Sequence, residues 1–388
     1  MYKRSVIIIF IISSFVLSCI DPFEVNIPAS EFNNLIIVDA VLNRESAVHT
    51  ITLSSPTAIN QNSGYARVSK AKVEITDSSN GCFEFEETSS GIYSIDSILF
   101  KPKFGENYIL NIELANGEVF QSEVQEFKKV DPIDSVWVRA EKASFLTGSN
   151  VVEGNVINVY TKLKTSNENY FHQYEYEGTF GFESIYQGSD ACNEGGPISP
   201  PRKVEELICY RSEVVDLPLN IFTTRNLQGD NFIAQNILRM FPDRKFLIGY
   251  SLLVKKKRLT EPYYNYLDEI KTQNETQGSL FDPPPTTIEG NIRNISNDDF
   301  ALGFFTIISE TQKRVFIYND ILREEVYPYE LEKCFDNFGE YFNPLDPNPA
   351  PIENIEQFLI RPDSICCDCR LYPGATDQEP DFFPVLGN

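Results

Sequence analysis

Two histidines and a single tryptophan occur among 388 residues. So few imidazoles speak against His-based acid–base catalysis and His-rich metal centres, and one indole leaves little for a tryptophan platform that stacks sugars. Positive charge is scarce as well. There are 33 Lys and Arg against 56 Asp and Glu, a formal net charge of −23, and such a chain is repelled by phosphate backbones, which argues against nucleic acid as a partner. Catalytic signatures are missing: there is no G-x-S-x-G, no H-E-x-x-H, no P-loop and no EF-hand spacing. Carboxylates abound, but glycosidase chemistry depends on their separation in space, which spacing along the chain does not give. Asp298-Asp299 reads as a solvated turn ahead of a calcium site. The chain is therefore expected to be no enzyme and to carry neither cofactor nor metal. Beyond residue 17 no apolar run approaches the roughly 20 residues of a spanning helix.

What the chain does have begins with Lys3-Arg4 and the twelve residues Val6 to Leu17, apolar except for Ser13 and Ser14. That length suits the apolar core of a signal peptide behind its charged start. The run ends in Val16-Leu17-Ser18-Cys19, which resembles the bacterial lipobox. The resemblance implies that the Cys19 thiol receives a diacylglycerol, that residues 1–18 are removed and that the new terminus is acylated, typically with palmitate. The alternative, an ordinary secretory signal, prefers a small residue at −3, where Val16 stands. Each buried methylene contributes roughly 0.8 kcal/mol, so one chain binds marginally and two or three hold firmly. Residues 19–33 then form a lipidated tether.

Export exposes the other cysteines to an oxidising compartment. Cys82, Cys192, Cys209, Cys334, Cys366, Cys367 and Cys369 are an odd number, so at least one thiol stays unpaired. Cys192 and Cys209 flank a Gly/Pro-rich segment that they are placed to staple, and Cys334 is placed to reach the 366–369 cluster. Cys82, in the alternation Cys-Phe-Glu-Phe, is the candidate for a buried free thiol. The C-x-x-C spacing of Cys366 and Cys369 also admits zinc or redox chemistry. Zinc requires a second ligand pair and a thioredoxin site requires a βαβ setting, so structural disulfides are the preferred reading.

Between residues 34 and 130 short apolar alternations recur about every ten residues, punctuated by Asn80-Gly81, Ser90-Gly91, Phe104-Gly105 and Asn116-Gly117. This predicts an all-β sandwich. The order Ala71–Ile75, Gly91-Ile-Tyr93, Phe104-Gly105-x-x-Tyr108 and Gly117-x-x-Phe120 resembles the immunoglobulin- or prealbumin-like sandwich of carboxypeptidase regulatory-like domains. Val130-Asp131-Pro132 marks a boundary. Residues 131–330 read as a second β-sandwich, with strands at 134–139, 155–160, 171–182, 246–259, 287–292, 302–309 and 314–318. One short helix is expected at 262–277, where Pro262 fits the first turn and Tyr263, Tyr266, Leu267 and Ile270 form one stripe. The aromatic alternation Tyr170–Phe182 reads as core ahead of a sugar-stacking face, with His172 at the surface or hydrogen-bonded. Lys255–Arg258 reads as a solvated strand end ahead of an anion site. Residues 331–388 read as an irregular, disulfide-fastened cap.

Four features in order, the lipobox with Cys19-Ile-Asp-Pro-Phe-Glu24, Leu280–Ile292, Leu302-Gly-Phe-Phe305 and Cys366–Arg370 with Pro380–Phe383, resemble the Bacteroidota lipoproteins grouped as domain-of-unknown-function family 4249. The family's closing Pro-Asp-Phe-Trp has Phe383 in its last place here. Such proteins are typically encoded beside a TonB-dependent outer-membrane receptor. The resemblance implies a lipid-anchored outer-membrane accessory of that transporter, bound to the bilayer through acylated Cys19 and acting in ligand capture or gating. Acidic Asp21 and Glu24 after the cysteine favour the cell surface over the periplasmic face. Two alternatives stay open: a structural or adhesive surface protein, and a carbohydrate-binding or carbohydrate-hydrolysing one. Asp96-Ser97-Ile98, Asp134-Ser135-Val136 and Asp363-Ser364-Ile365 resemble the Bacteroidota O-glycosylation acceptor, which would modify exposed Ser97, Ser135 and Ser364.

Overall fold

The structure is a computed structural model. It describes residues 35–57, 65–147, 150–164, 169–184, 208–217, 219–227, 232–241, 244–246, 248–276, 286–297, 299–318 and 368–383. Cys19, Cys192, Cys334, Ser364, Cys366 and Cys367 lie outside these residues.

As the alternation requires, the described residues are mostly strand. Up to the expected boundary these are β1 (Ile37–Asn43), β2 (Val48–Pro56), β3 (Tyr65–Arg67), β4 (Lys72–Asp77), β5 (Cys82–Ser89), β6 (Ile92–Asp96), β7 (Asn107–Glu113), β8 (Val119–Ser122) and β9 (Gln125–Glu126). All but β3 and β9 supply residues to a common core: Val38, Ala40 and Leu42 from β1, Val73 and Ile75 from β4, Tyr108, Leu110 and Ile112 from β7. β5 turns a corner, pairing through its first half with β4 and through its second with β6.

After the boundary come β10 (Val136–Thr147), β11 (Asn150–Lys164), β12 (Phe171–Glu183), β13 (Ile208–Val214), β14 (Ile221–Thr223), β15 (Phe232–Met240) and β16 (Tyr250–Arg258). Helix α1 (Glu261–Thr276), β17 (Ile292–Asn294), β18 (Leu302–Ile317) and β19 (Ala375–Thr376) complete the order. β10, β11 and β15 form a three-stranded sheet whose Ile157, Val159 and Leu238 pack with Tyr174, Tyr176, Leu252 and Val254 of β12 and β16. β16 starts at Tyr250, not Phe246: Arg244–Phe246 is a short 3-10 turn whose Phe246 ring stacks 4.7 Å from Tyr250.

The two β units expected from the sequence share β18. Its first half lies parallel to β1 and its second antiparallel to β16, so one sheet path runs from β17 to β19 through both units. The two strands expected at 302–309 and 314–318 are one, because Glu310-Thr311-Gln312-Lys313 contains neither Gly nor Pro to turn the chain. Phe305 and Ile307 enter the first core, Ile317 the second. Residues 292–308, assigned by sequence to the second unit, complete the first.

The connecting segment is strapped to this shared sheet. Ser309 Oγ donates to Lys128 O at 2.8 Å, Lys256 Nζ to Asp131 O at 3.4 Å, and Lys313 Nζ to the carbonyls of Ile133 and Asp134. On the opposite face, Tyr263 and Leu267 of α1 pack on Phe304 and Ile308. Thr260 caps the helix, its Oγ1 accepting from Tyr263 N at 3.4 Å.

The cysteine pairing differs from the expected one. Cys209 on β13 is bonded to Cys369, 160 residues away, and not to Cys192. β19 pairs with β13 and brings the two together. Cys82 is a free thiol, but exposed and not buried. It falls on the solvent side of β5, where Phe85 takes the core, and its Sγ lies 3.5 Å from Glu74 Oε2.

Candidate functional site

Where the units meet, a cleft of about 690 Å³ opens. Phe104, Gly105 and residues 126–129 line it from the first unit, Asp131, Asn169–Phe171, Arg258, Leu259 and Glu261 from the second. Phe104 stacks on Phe127 at 4.8 Å and takes Arg44 and Lys129 over its ring at 4.9 and 5.9 Å. Across the cleft the buried Arg258 guanidinium sits 4.3 Å from the Tyr170 ring centroid and donates to Asn169 O at 3.4 Å. Glu126 and Glu261 supply the opposite sign, held by Lys128 at 3.3 Å and Arg225 at 2.6 Å. The walls thus combine aromatic faces with both charges, which suits a ligand bearing apolar surface and ionic groups together.

Behind the Arg258 wall two buried side chains, His172 and Tyr174, lack hydrogen-bond partners. His172 is 1% exposed, and neither ring nitrogen has a hydrogen bond; the buried Tyr174 hydroxyl is in the same state. Burial, with the charges of Lys256 and Arg258 beside it, holds the His172 imidazole well below its ordinary range, hence neutral. Burial also pulls Lys256 down to about 8, Arg258 pushing the same way and Asp131 and Asp134 opposing. Tyr174 and Tyr176 are raised by burial. Tyr176 is satisfied, donating to Ile237 O at 2.5 Å and accepting from Asn220 Nδ2 at 2.5 Å.

This row corrects two sequence expectations. His172 is neither at the surface nor hydrogen-bonded, because β12 turns its even-numbered residues inward. Lys255–Arg258 is no solvated strand end. Lys255 and Lys257 pair with Glu177 and Glu175 on one face, while Lys256 and Arg258 turn into the interior on the other. The signal was available: four bases in a period-2 strand put two on each side.

The other candidates lie away from the cleft. The Cys209–Cys369 bond fastens residues 368–383 to the β13 edge, where Phe383 packs 5.1 Å from Tyr210. Ser97 and Ser135 are half-buried; Ser97 N donates to Ala47 O at 3.0 Å, and Ser135 O accepts from Thr161 Oγ1 at 3.0 Å. Among the described residues no three His, Cys, Asp or Glu gather to hold a metal, and no helix is long and apolar enough to cross a membrane.

Residues 20–314, well over half of the chain, match a family model described as a domain of unknown function, DUF4249. No curated protein matches.

Proposed function

The chain belongs to the DUF4249 family, and from that premise we propose that it is an outer-membrane lipoprotein, held by acylated Cys19, that serves a TonB-dependent transporter as a non-enzymatic accessory in ligand capture or gating. The observation that carries this reading is Val16-Leu17-Ser18-Cys19 at the end of a twelve-residue apolar run. The body supports it. Two units that share β18 and a strapped connection keep the cleft between them preformed, and a preformed cleft spends little affinity on ordering. A tether at residues 19–33 keeps such a body at high effective concentration beside a membrane partner. Acidic Asp21 and Glu24 favour the outer surface.

The test is co-purification. The full chain is extracted from its native envelope in mild detergent and captured through a C-terminal tag. A barrel-sized partner in fixed ratio supports the accessory role. Repeated recovery of the chain alone contradicts it and favours a structural or adhesive surface protein.

A further inference from the structure

The three-stranded sheet turns its second face away from the core, and that face sets aromatic rings beside arginines. Its register sets two adjacent ranks across the strands. Trp137, Tyr160 and Asn236 form one; Arg139, Asn158 and Arg239 form the next. The Trp137 and Tyr160 rings are stacked, 5.8 Å between centroids and 15° between planes. Both are half-buried, while Arg139 and Arg239 are exposed.

The polar groups beneath are fixed. Asn158 is buried and engaged at both its oxygen and its nitrogen: its Oδ1 accepts from Asn236 Nδ2 at 3.0 Å and Arg239 Nε at 3.1 Å, and its Nδ2 donates to Glu141 Oε2 at 2.9 Å. Glu141 Oε1 accepts from the Tyr160 hydroxyl at 3.3 Å. Arg139 lies 5.7 Å from the Tyr160 ring, and one position further along the sheet Lys162 lies 3.8 Å over exposed Phe232. Arg139, Arg239 and Lys162 outnumber Glu141 on this face, against a chain of net charge −23.

From this geometry we propose that the outer face of β10–β11–β15 binds an acidic oligosaccharide, a pyranose ring lying against the Trp137–Tyr160 stack with its carboxylate between Arg139 and Arg239. Aromatic faces receive the apolar C–H side of a sugar ring, and guanidinium donors receive its charged edge. Strands stand about 4.8 Å apart, so the two arginines arise about 10 Å from each other, with room for one carboxylate between their forks. One stacked ring pair and two arginines reach only one or two sugar units, so affinity has to come from contacts repeated along a chain. The proposal is independent of the anchor and of the cleft.

Trp137 is the one tryptophan of the protein, so its fluorescence reports this face alone. The full chain in detergent is titrated with oligogalacturonides, with the galacturonate monosaccharide and with neutral cello-oligosaccharides, exciting at the red edge where tyrosine does not absorb. The proposal expects a saturable emission change with oligogalacturonides, weaker binding of the monosaccharide and at least about tenfold weaker binding of the neutral chain. Arg139→Gln and Arg239→Gln, at exposed positions, should each lower affinity for the acidic chain severalfold, and Tyr160→Ala should abolish it. Calorimetry repeats the measurement on the same proteins without relying on emission. Absence of saturable binding by either method overturns the proposal. Equal affinity for acidic and neutral chains overturns its charge assignment, and variants that bind like the parent overturn the location.

Discussion

Asn291 replaces a strand for Phe305. Its Nδ2 donates to Phe305 O at 2.9 Å and its Oδ1 accepts from Phe305 N at 2.8 Å, both residues being buried. One side-chain amide thereby satisfies both backbone groups of a β18 residue. The neighbouring Gly290 permits the approach, because a Cβ there would overlap the Gly303 carbonyl oxygen. Gly303, at φ +99, has no room for one either: it would meet Val38 O of β1. Glu289-Gly290-Asn291-Ile292 is thus a clasp joining β17 to the shared strand.

Breaking the clasp should loosen the first unit. Asn291→Ala strands a buried N–H and a buried C=O and is expected to cost about 2–4 kcal/mol. Gly290→Ala, which forces backbone apart, should cost more. Urea midpoints of the parent and the two variants measure both. An Asn291→Ala protein as stable as the parent refutes the clasp.

His172 gives the molecule an acid sensitivity of definite sign. Its folded pKa lies well below the unfolded value near 6.5 because of burial and nearby cations, so below that value the unfolded chain binds the extra proton. Stability should fall as pH drops below about 6.5, with a slope per group approaching about 1.4 kcal/mol per pH unit. His49 is lowered by burial in the same direction. His172→Phe, which also removes two unpartnered buried nitrogens, should flatten part of the acid limb and raise the unfolding midpoint at pH 5. Superimposable pH–stability curves would contradict this.

Lys256 acts at the other end of the scale. Its ammonium is buried with one long bond to a carbonyl and titrates near 8 against an ordinary 10.5. Between those values the unfolded chain holds more protons, so this contribution to stability should rise from pH 8 to 10.5. Lys256→Met keeps the apolar stem and should remove that rise. At pH 7 it should stabilise the fold on the order of 2 kcal/mol. Thermal melts of the two proteins at pH 7, 9 and 10.5 check the sign.

The Cys209–Cys369 bond closes a long loop and holds the terminal segment on β13. Replacing both residues by Ala should cost about 2–4 kcal/mol. Exchange protection should fall first where Tyr210 and Arg211 pair with Thr376 and Ala375. Unchanged exchange at those amides would show that β19 stays docked without the bond.

The legible part of this fold is the part written in two-residue alternation. Val73-Glu-Ile75 and Tyr108-Ile-Leu-Asn-Ile112 declare their strands, and Pro262 with the Tyr263–Ile270 stripe declares α1 to within a residue. What could not be read depends on distant partners. No local feature says that residues 302–308 pair with β1, nor that Cys209 meets Cys369. The Lys255–Arg258 run reads as solvated because a run of one charge looks so until its alternate members are assigned to opposite faces. The cleft draws on segments about 20 to 160 residues apart along the chain, so neither its walls nor its balance of charges could be assembled from spacing alone.

The account rests most heavily on the Cys19 sulfur. Cells supplied with a labelled palmitate analogue are fractionated, and envelopes are washed with alkaline carbonate, comparing the parent with Cys19→Ser. The account predicts label and envelope retention for the parent, and an unlabelled chain released into the wash for Cys19→Ser. A Cys19→Ser chain that stays with the washed envelope would contradict it.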